Sequence, residues 1–125
     1  MSEIEKGEFE HFMLKEIHEQ PEAIRKTLAG RIKDGRVDFP DLEFDNVFKN
    51  TGKIIIAACG TSYHAGMVGR LVIEKLARIP VEIDLASEFR YREVLWNPND
   101  LVIVISQSGE TSDTLAALRE ARHNG

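Results

Sequence analysis

The sequence predicts an α/β protein built on three parallel strands, each followed by a helix and all preceded by a helical N-terminal segment. Three short apolar runs are rich in β-branched residues, as in strands that are covered on both faces. The stretches between and after these runs carry apolar residues at helical spacing. Two of the three runs end in short polar loops that contain glycine. Because right-handed crossovers wind such β-α units into one parallel sheet, we expect the strand order 2-1-3.

The N-terminal segment, residues 1–50, is expected to be helical. Pro21 interrupts its pattern and fits the first turn of a second helix, where a missing N–H costs nothing. Asp34-Gly35 is expected to end that helix, and a further short helix is expected near residues 43–49. The apolar stripe of the segment is predicted to be core, packed against the sheet or a partner. Its members recur at a spacing of four on each side of Pro21: Phe9, Met13, Ile17, Ile24, Leu28 and Ile32.

Residues 51–125 carry the alternation of strands and helices. The predicted strands are residues 53–59, 81–85 and 101–105, and Ser87 is expected to cap a short helix after the second strand. One face of the first long helix is predicted to hold Val68, Leu71, Val72, Leu76 and Ile79. The inward residues of the last helix are predicted to be Leu115, Leu118 and Ala121.

Composition and charge exclude several classes of partner. The chain has 125 residues and a net charge of −5, and it carries no basic stripe with interleaved aromatic residues, so nucleic acid is not an expected partner. Its longest apolar runs are far too short to span a bilayer, and its first residues lack a hydrophobic signal core. The single cysteine, Cys59, fits a reducing compartment. These features predict a soluble, cytoplasmic protein.

Two polar loops are the candidate functional features. Thr61-Ser62 follows the first strand and residues 106–111 follow the third. In parallel sheets, ligands bind beyond the carboxyl ends of the strands, where helix N-termini present free N–H groups. With strand order 2-1-3 the two loops would line one crevice. Neither loop contains arginine or lysine, so the pattern predicts an anion site made of amides and hydroxyls.

Four stretches also resemble a known family. Residues 58–62 read ACGTS, residues 86–92 read ASEFRYR and residues 106–114 read SQSGETSDT. In this order they closely resemble the first sugar isomerase (SIS) domain of the glutamine–fructose-6-phosphate aminotransferases. Residues 11–21, HFMLKEIHEQP, are similar to the segment that begins the synthase half of those enzymes.

The resemblance implies a fold and a set of site residues. It implies a three-layer, flavodoxin-like SIS sheet, of which residues 51–125 would be a first portion with three strands, and residues 1–50 would begin the synthase half. The family makes glucosamine 6-phosphate from fructose 6-phosphate and glutamine, as a homodimer, without a metal, pyridoxal phosphate or redox cofactor. The sugar-phosphate ligands carried over from it are Thr61, Ser62, Ser106, Gln107, Ser108 and Thr111.

Several parts of the family pattern are missing, and they limit the expected activity. The chain matches neither the glutaminase domain, the second SIS domain nor the C-terminal tail, which supply the ammonia and the acid–base groups. No catalytic residue is therefore assigned, and the chain is expected to be an inactive fragment that ends after the third β-α unit. Its third strand would have an unpaired edge, so self-association is also expected.

Alternative interpretations remain for single residues and for the whole chain. Glu110 suggests a general base, but a carboxylate near a helix N-terminus is more often a dipole partner. Simpler structural interpretations apply to other residues. Cys59 fits a core residue, His64 a solvated side chain and Trp96 a packing residue. An ion network is the simpler interpretation of Glu88, Arg90 and Arg92. The alternative functions are a non-catalytic phosphosugar sensor and a flavin mononucleotide carrier, although in flavodoxins the hydroxyl-rich loop follows the first strand.

Overall fold

The structure, a computed structural model, describes residues 5–39 and 48–124 of the chain. The chain divides into two units, Met1–Glu43 and Phe44–Gly125, which are considered separately below. The sequence pattern changes near residue 50, a few residues after this division. The assignment of residues 1–50 and 51–125 to two parts of a longer synthase stays a prediction.

Helix α1, Phe12–Leu28, is the main element of the first unit. It continues through Pro21, so the prediction of a second helix starting at this proline is wrong. The proline ring removes only the N–H that would bond to the carbonyl of Ile17, and the helix can tolerate this loss where water reaches that carbonyl. No residue of α1 is buried. Burial of its apolar stripe against a partner stays a prediction.

A β-hairpin follows α1 where the sequence pattern suggested more helix. Strand β1, Ile32–Lys33, pairs antiparallel with β2, Arg36–Val37. Asp34 and Gly35 form the turn with φ of 51° and 72°, the positive values that a type I′ hairpin turn requires. Asp-Gly is a strong hairpin signal, so Ile32 belongs to a strand and not to the helical stripe. The helix expected near residues 43–49 falls largely outside the described residues.

The second unit contains a parallel three-stranded sheet. Its strands are β3, Lys53–Ala58; β4, Val81–Leu85; and β5, Asp100–Ile105. They lie in the order β4-β3-β5, which confirms the predicted order 2-1-3. Strand β3 is central, and its residues 54–58 are all buried. The apolar, β-branched composition of this strand follows from its cover on both faces.

Three helices cover the sheet: α2, Gly60–Ala77; α3, Ala86–Phe89; and α4, Ser112–His123. On one face, Ile55 and Ala57 pack with residues of α3 and α4, including Phe89 and Ala117. On the other face, Ile54 and Ile56 pack with partly buried residues that include Ile73 of α2. The result is a three-layer α/β unit. No helix in the described residues is long and apolar enough to cross a membrane.

Helix α2 packs on the sheet through a different face from the predicted one. Its expected inward residues are exposed: Val68, Leu71, Val72 and Leu76. Gly66 is buried instead, and an added Cβ there would lie 2.8 Å from Ile83 Cδ1. Ile79, just beyond the helix, was predicted correctly as a packing residue. Apolar periodicity identified the apolar face, but the small residues decided which face approaches the sheet.

The two later helices also correct details of the sequence analysis. Helix α3 begins at Ala86 after Leu85 and has no side-chain cap, so Ser87 lies inside the helix and does not cap it. In α4 the fully buried residues are Thr114 and Ala117. The predicted inward residues, Leu115, Leu118 and Ala121, are only partly buried.

Candidate functional site

The candidate site lies at the carboxyl edge of the sheet. In the parallel register, Ala58 at the end of β3 pairs with Ile105 at the end of β5. Neighbouring strands lie about 4.8 Å apart, so the two polar loops leave the sheet from adjacent points. Helix α2 begins at Gly60 and α4 at Ser112, directly after these loops. The topology therefore brings Thr61-Ser62 and residues 106–111 to one edge, as the strand order predicted.

The turn from β3 into α2 is tight. Gly60 has a φ of 58°, a left-handed value that side chains other than glycine adopt with strain. Cys59 occupies the N-cap position without a side-chain cap, and Thr61 and Ser62 lie in the first helical turn. Neither Thr61 nor Ser62 therefore caps the helix. Since the first amides of a helix have no acceptor within it, this turn can offer N–H donors to an anion.

The loop from β5 into α4 is organised by its own hydroxyl groups. Ser106 Oγ lies 3.2 Å from Thr111 Oγ1 and accepts a hydrogen bond from the N–H of Gly109 at 3.0 Å. Ser108 Oγ accepts a hydrogen bond from the N–H of Glu110 at 3.1 Å. Ser106 and Thr111 are partly buried, whereas Ser108 is exposed. The loop thus has a defined shape, in which serine hydroxyl oxygens accept hydrogen bonds from its own backbone N–H groups.

Helix α4 begins beside an ion pair. Arg90 Nη1, just beyond α3, lies 3.4 Å from Asp113 Oδ1 in the first turn of α4. The pair neutralises the arginine, so neither candidate loop gains an unpaired cation from it. Local sequence patterns gave no sign of this contact, because it joins residues that lie far apart in the chain. Recognition of an anion would rest on neutral donors and on the dipoles of α2 and α4.

A second ion network lies along β4. Arg92 Nη2 lies 3.0 Å from Glu82 Oε2, and Lys53 Nζ lies 3.3 Å from Glu82 Oε1. The hydrogen bond from Arg92 is the main cause that lowers the pKa of Glu82. Arg92 Nε also lies 2.7 Å from Asp84 Oδ2, an ion pair that lacks hydrogen-bond geometry. Arg90 and Arg92 therefore take part in structural ion pairs, as the simpler interpretation expected, whereas Glu88 forms no ion pair among the described residues.

The other candidates have structural surroundings. Cys59 is partly buried and packs against the core formed with Phe89, and Trp96 meets the Phe89 ring edge-on with centroids 6.0 Å apart. His64 is exposed, with its ring 6.2 Å from that of Tyr63. Thr114 was missed by sequence reasoning: it is 3% exposed, and its hydroxyl has no hydrogen-bond partner among the described residues. Within residues 5–39 and 48–124 no group of three or more potential ligands could hold a metal.

Comparison with known proteins decides the family. The family model of the SIS domain matches residues 48–125. This chain belongs to the SIS domain family. The match covers the three strands, the helices around them and both candidate loops. It confirms the resemblance that the ordered motifs indicated.

Named relatives of this SIS domain are aminotransferases. The chain is 60% identical over 123 residues to a glutamine–fructose-6-phosphate aminotransferase (isomerizing) of Clostridium acetobutylicum, a match that covers 97% of this chain and 20% of the relative. It is 56% identical over 128 residues to the enzyme of the same name from Chlorobaculum tepidum, covering 100% of this chain and 21% of the relative. The chain thus spans about a fifth of the length of these relatives.

A solved structure supports the fold. The C-terminal domain of glucosamine-fructose-6-phosphate aminotransferase from Francisella tularensis superposes with a TM-score of 0.88 at 44% sequence identity. The superposition covers 95% of this chain and 33% of the solved chain. The predicted α/β fold of the SIS type is confirmed.

Proposed function

We propose that this chain is the phosphosugar-binding part of a glutamine–fructose-6-phosphate aminotransferase that makes glucosamine 6-phosphate from fructose 6-phosphate and glutamine. One observation carries the proposal: two hydroxyl-rich loops leave adjacent strand ends in a chain that is 60% identical to an aminotransferase of this name. A sugar phosphate fits this edge because its phosphate can accept hydrogen bonds from loop amides and hydroxyls while the sugar lies across the crevice.

Each loop would contribute both hydroxyl groups and backbone amides. Thr61 and Ser62 supply hydroxyls beside the first amides of α2. Ser106 and Ser108 already accept hydrogen bonds from the N–H groups of Gly109 and Glu110, so a phosphate would replace the serine oxygens at these donors. The serine hydroxyls would then turn to donate to the ligand. The other proposed ligands are Gln107 and Thr111.

Binding without turnover is the expected behaviour of this 125-residue chain. None of the six proposed ligands carries a carboxylate, an amine or an imidazole that could move a proton during isomerisation. We expect no glucosamine 6-phosphate from the purified chain with fructose 6-phosphate and glutamine. Detection of that product by mass spectrometry would contradict the proposal that the chain binds the sugar phosphate without converting it.

Titration followed by NMR tests the binding site. We expect the amide signals of residues 60–62 and 106–111 to shift with fructose 6-phosphate, with an affinity near millimolar, or about −4 kcal/mol. Fructose without phosphate serves as the matched control and should cause no saturable shift. Saturable shifts confined to other parts of the chain, or none at all at concentrations well above millimolar, would overturn the site.

Matched serine variants test the named residues. Ser106→Ala removes the hydroxyl that contacts Gly109 and Thr111, and we expect a roughly tenfold loss of affinity for fructose 6-phosphate. Ser87→Ala is the control, because Ser87 lies in α3 and is not a proposed ligand. Equal affinities of the two variants for fructose 6-phosphate would show that Ser106 is not a ligand. Thermal unfolding of both variants shows whether the fold is kept.

The remaining parts of the proposal concern partners and location. The resemblance stated in the sequence analysis implies a homodimeric parent enzyme, and we propose that the chain itself associates with a second copy. A cytoplasmic location rests on the single cysteine in the sequence. Cross-linking of the purified chain and localisation of a tagged chain, respectively, would test these two points.

A further inference from the structure

Thr114 is a buried polar residue for which the proposed site has given no role. It lies in the first turn of α4 and is 3% exposed, and its Oγ1 has no hydrogen-bond partner among the described residues. The described residues themselves produce this burial, so further chain could only add to it. An unpaired buried hydroxyl lowers the stability of a fold, and proteins seldom keep such a group without a reason.

The position of Thr114 in α4 fixes the direction of its side chain. Thr111 is the N-cap of the helix, so Thr114 is the third helical residue. The Cα–Cβ bonds of a helix tilt toward its N-terminus, so this side chain leans back toward residues 106–111. Ala117, one turn later, is fully buried, which shows that this face of α4 is turned to the core. The hydroxyl therefore lies beneath the loop and not on its solvent side.

The backbone N–H of Thr111 is the donor that this position can reach. A polar side chain on the third helical residue can accept a hydrogen bond from the N–H of the N-cap residue, which has no acceptor within the helix. In α4 the cap makes no side-chain hydrogen bond, and Thr114 Oγ1 stays unpaired. Threonine is shorter than the glutamate or glutamine usual at this position, so the N-cap must lie close over the first turn for the bond to form.

The side chain of Thr111 is engaged elsewhere. Its Oγ1 lies 3.2 Å from the Oγ of Ser106, which follows β5 directly. Ser106 Oγ also accepts a hydrogen bond from the N–H of Gly109 at 3.0 Å. In the proposed function a phosphate replaces Ser106 at that N–H, and the serine hydroxyl turns to the ligand. Thr111 then loses its contact with Ser106 and is free to settle over the first turn of α4.

We propose that Thr114 is a positioning residue of the phosphosugar site, whose hydroxyl accepts a hydrogen bond from the N–H of Thr111 when a sugar phosphate binds. Thr114 does not touch the ligand. It acts through Thr111, one of the proposed ligands, by holding the N-cap of α4 in its bound position. Because the bound form pairs a hydroxyl that the unliganded form leaves unpaired, the new hydrogen bond favours binding. The inference rests on the proposed function of the two loops.

Two substitutions separate this role from a purely structural one. Thr114→Val keeps the shape of the side chain and removes the hydroxyl. We expect it to raise the midpoint of thermal unfolding of the unliganded chain by about 4 °C, because an apolar group replaces an unpaired polar one. The same variant should bind fructose 6-phosphate roughly tenfold more weakly, because its bound form lacks the hydrogen bond. Thr114→Ser is the conservative variant and should restore the affinity, although its lost methyl group lowers the stability.

The amide signal of Thr111 reports on the hydrogen bond itself. With saturating fructose 6-phosphate, its proton should move further downfield in the unmodified chain and in Thr114→Ser than in Thr114→Val. Fructose without phosphate is the control and should leave the signal in place. Equal downfield shifts in all three proteins would show that the hydroxyl of Thr114 does not accept this N–H.

The outcomes distinguish failure of this inference from failure of the proposed function. A loss of stability in unliganded Thr114→Val would show that the hydroxyl is already paired and would overturn the inference. Equal affinities of Thr114→Val and the unmodified chain for fructose 6-phosphate would overturn it too, while the proposed function would stand. If the unmodified chain binds no fructose 6-phosphate, the proposed function fails and this inference fails with it.

Discussion

Gly66 determines how closely helix α2 approaches the sheet. An added Cβ would lie 2.8 Å from Ile83 Cδ1 and 3.0 Å from Ile56 Cγ2, both closer than ordinary contact. A side chain at this position would force Ile83, Ile56 or the helix itself to shift. The bare glycine surface thus lets the backbone of α2 lie directly on two isoleucines.

Substitution of Gly66 should be costly for this reason. We expect Gly66→Ala to reduce the free energy of unfolding by about 1–3 kcal/mol, as overpacking of a core does. Gly69→Ala is the matched control in the same helix, because its added Cβ would lie 3.9 Å from Ile56 Cδ1. There the better helix propensity of alanine should raise stability by roughly 0.5–1 kcal/mol. Urea unfolding measures the free energy of unfolding of both variants. Equal changes would contradict the close approach of α2 to the sheet at Gly66.

Arg78 is a position where glycine would fit better than the residue present, since its backbone has a left-handed conformation. It is the C-cap of α2 with φ 60° and ψ 29°, a region that favours glycine. We expect Arg78→Gly to raise the free energy of unfolding by up to about 1 kcal/mol. Arg78→Ala removes the same side chain but keeps the strain, so it should not stabilise. A thermal shift for the alanine variant as large as that for glycine would show that the charge, and not the backbone, matters.

At the scale of elements, the ion pairs along β4 make the stability of the fold depend on pH, because they include Glu82. The hydrogen bond from Arg92 lowers its pKa in the folded protein below the ordinary value of 4.5. Because the folded pKa lies below the unfolded one, the carboxylate stabilises the fold above the unfolded value, and this contribution is lost as the pH falls through the folded value.

Glu82→Gln should therefore lower the free energy of unfolding at neutral pH. This loss of stability should become smaller as the pH falls. The side chain is 46% exposed, so the loss at pH 7 should be only a few tenths of a kcal/mol up to about 1. Unfolding by urea between pH 7 and pH 3 measures the difference from the unmodified chain. Glu93→Gln, at an exposed position, is the control. A difference that grows below pH 4.5 would contradict the ion pair.

The strands of the sheet were predictable, whereas the packing faces of the helices were not. The bounds of β4 match the prediction, and those of β3 and β5 differ by one residue. Short β-branched runs carry their own signal, because both faces of a central strand must be apolar. Helix α2 shows the limit of this reasoning. Its apolar stripe faces outward because the approach to the sheet depends on glycines opposite two isoleucines, which periodicity alone does not reveal.

At the scale of the whole molecule, stability should differ strongly along the chain. Strand β3 contains five consecutive buried residues, whereas α1 contains none. Most of the stability of a helix in a protein comes from the packing of a buried face, and α1 has no buried residue. We expect amides of β3 to exchange with solvent only through global unfolding, and amides of α1 to exchange orders of magnitude faster. Native-state hydrogen exchange followed by NMR measures both, and comparable protection would contradict the difference.

The position of the candidate site followed from topology, but its internal contacts did not. Once strands one and three are neighbours, Thr61 and Ser108 must lie at the same edge of the sheet. The sequence could not predict that Ser106 and Ser108 would bond to amides of their own loop, or that Arg90 would reach Asp113. Those contacts depend on the exact path of the backbone between distant elements. The roles of the six proposed ligands stay predictions.

The position of Cys59 has a practical consequence. It is the only cysteine in the sequence, it is partly accessible, and it lies between the end of β3 and the start of α2. A maleimide dye would therefore attach at one defined place, without any engineered thiol. The emission of such a conjugate would respond to occupancy of the neighbouring loops and could serve as an optical assay for screening sugar phosphates.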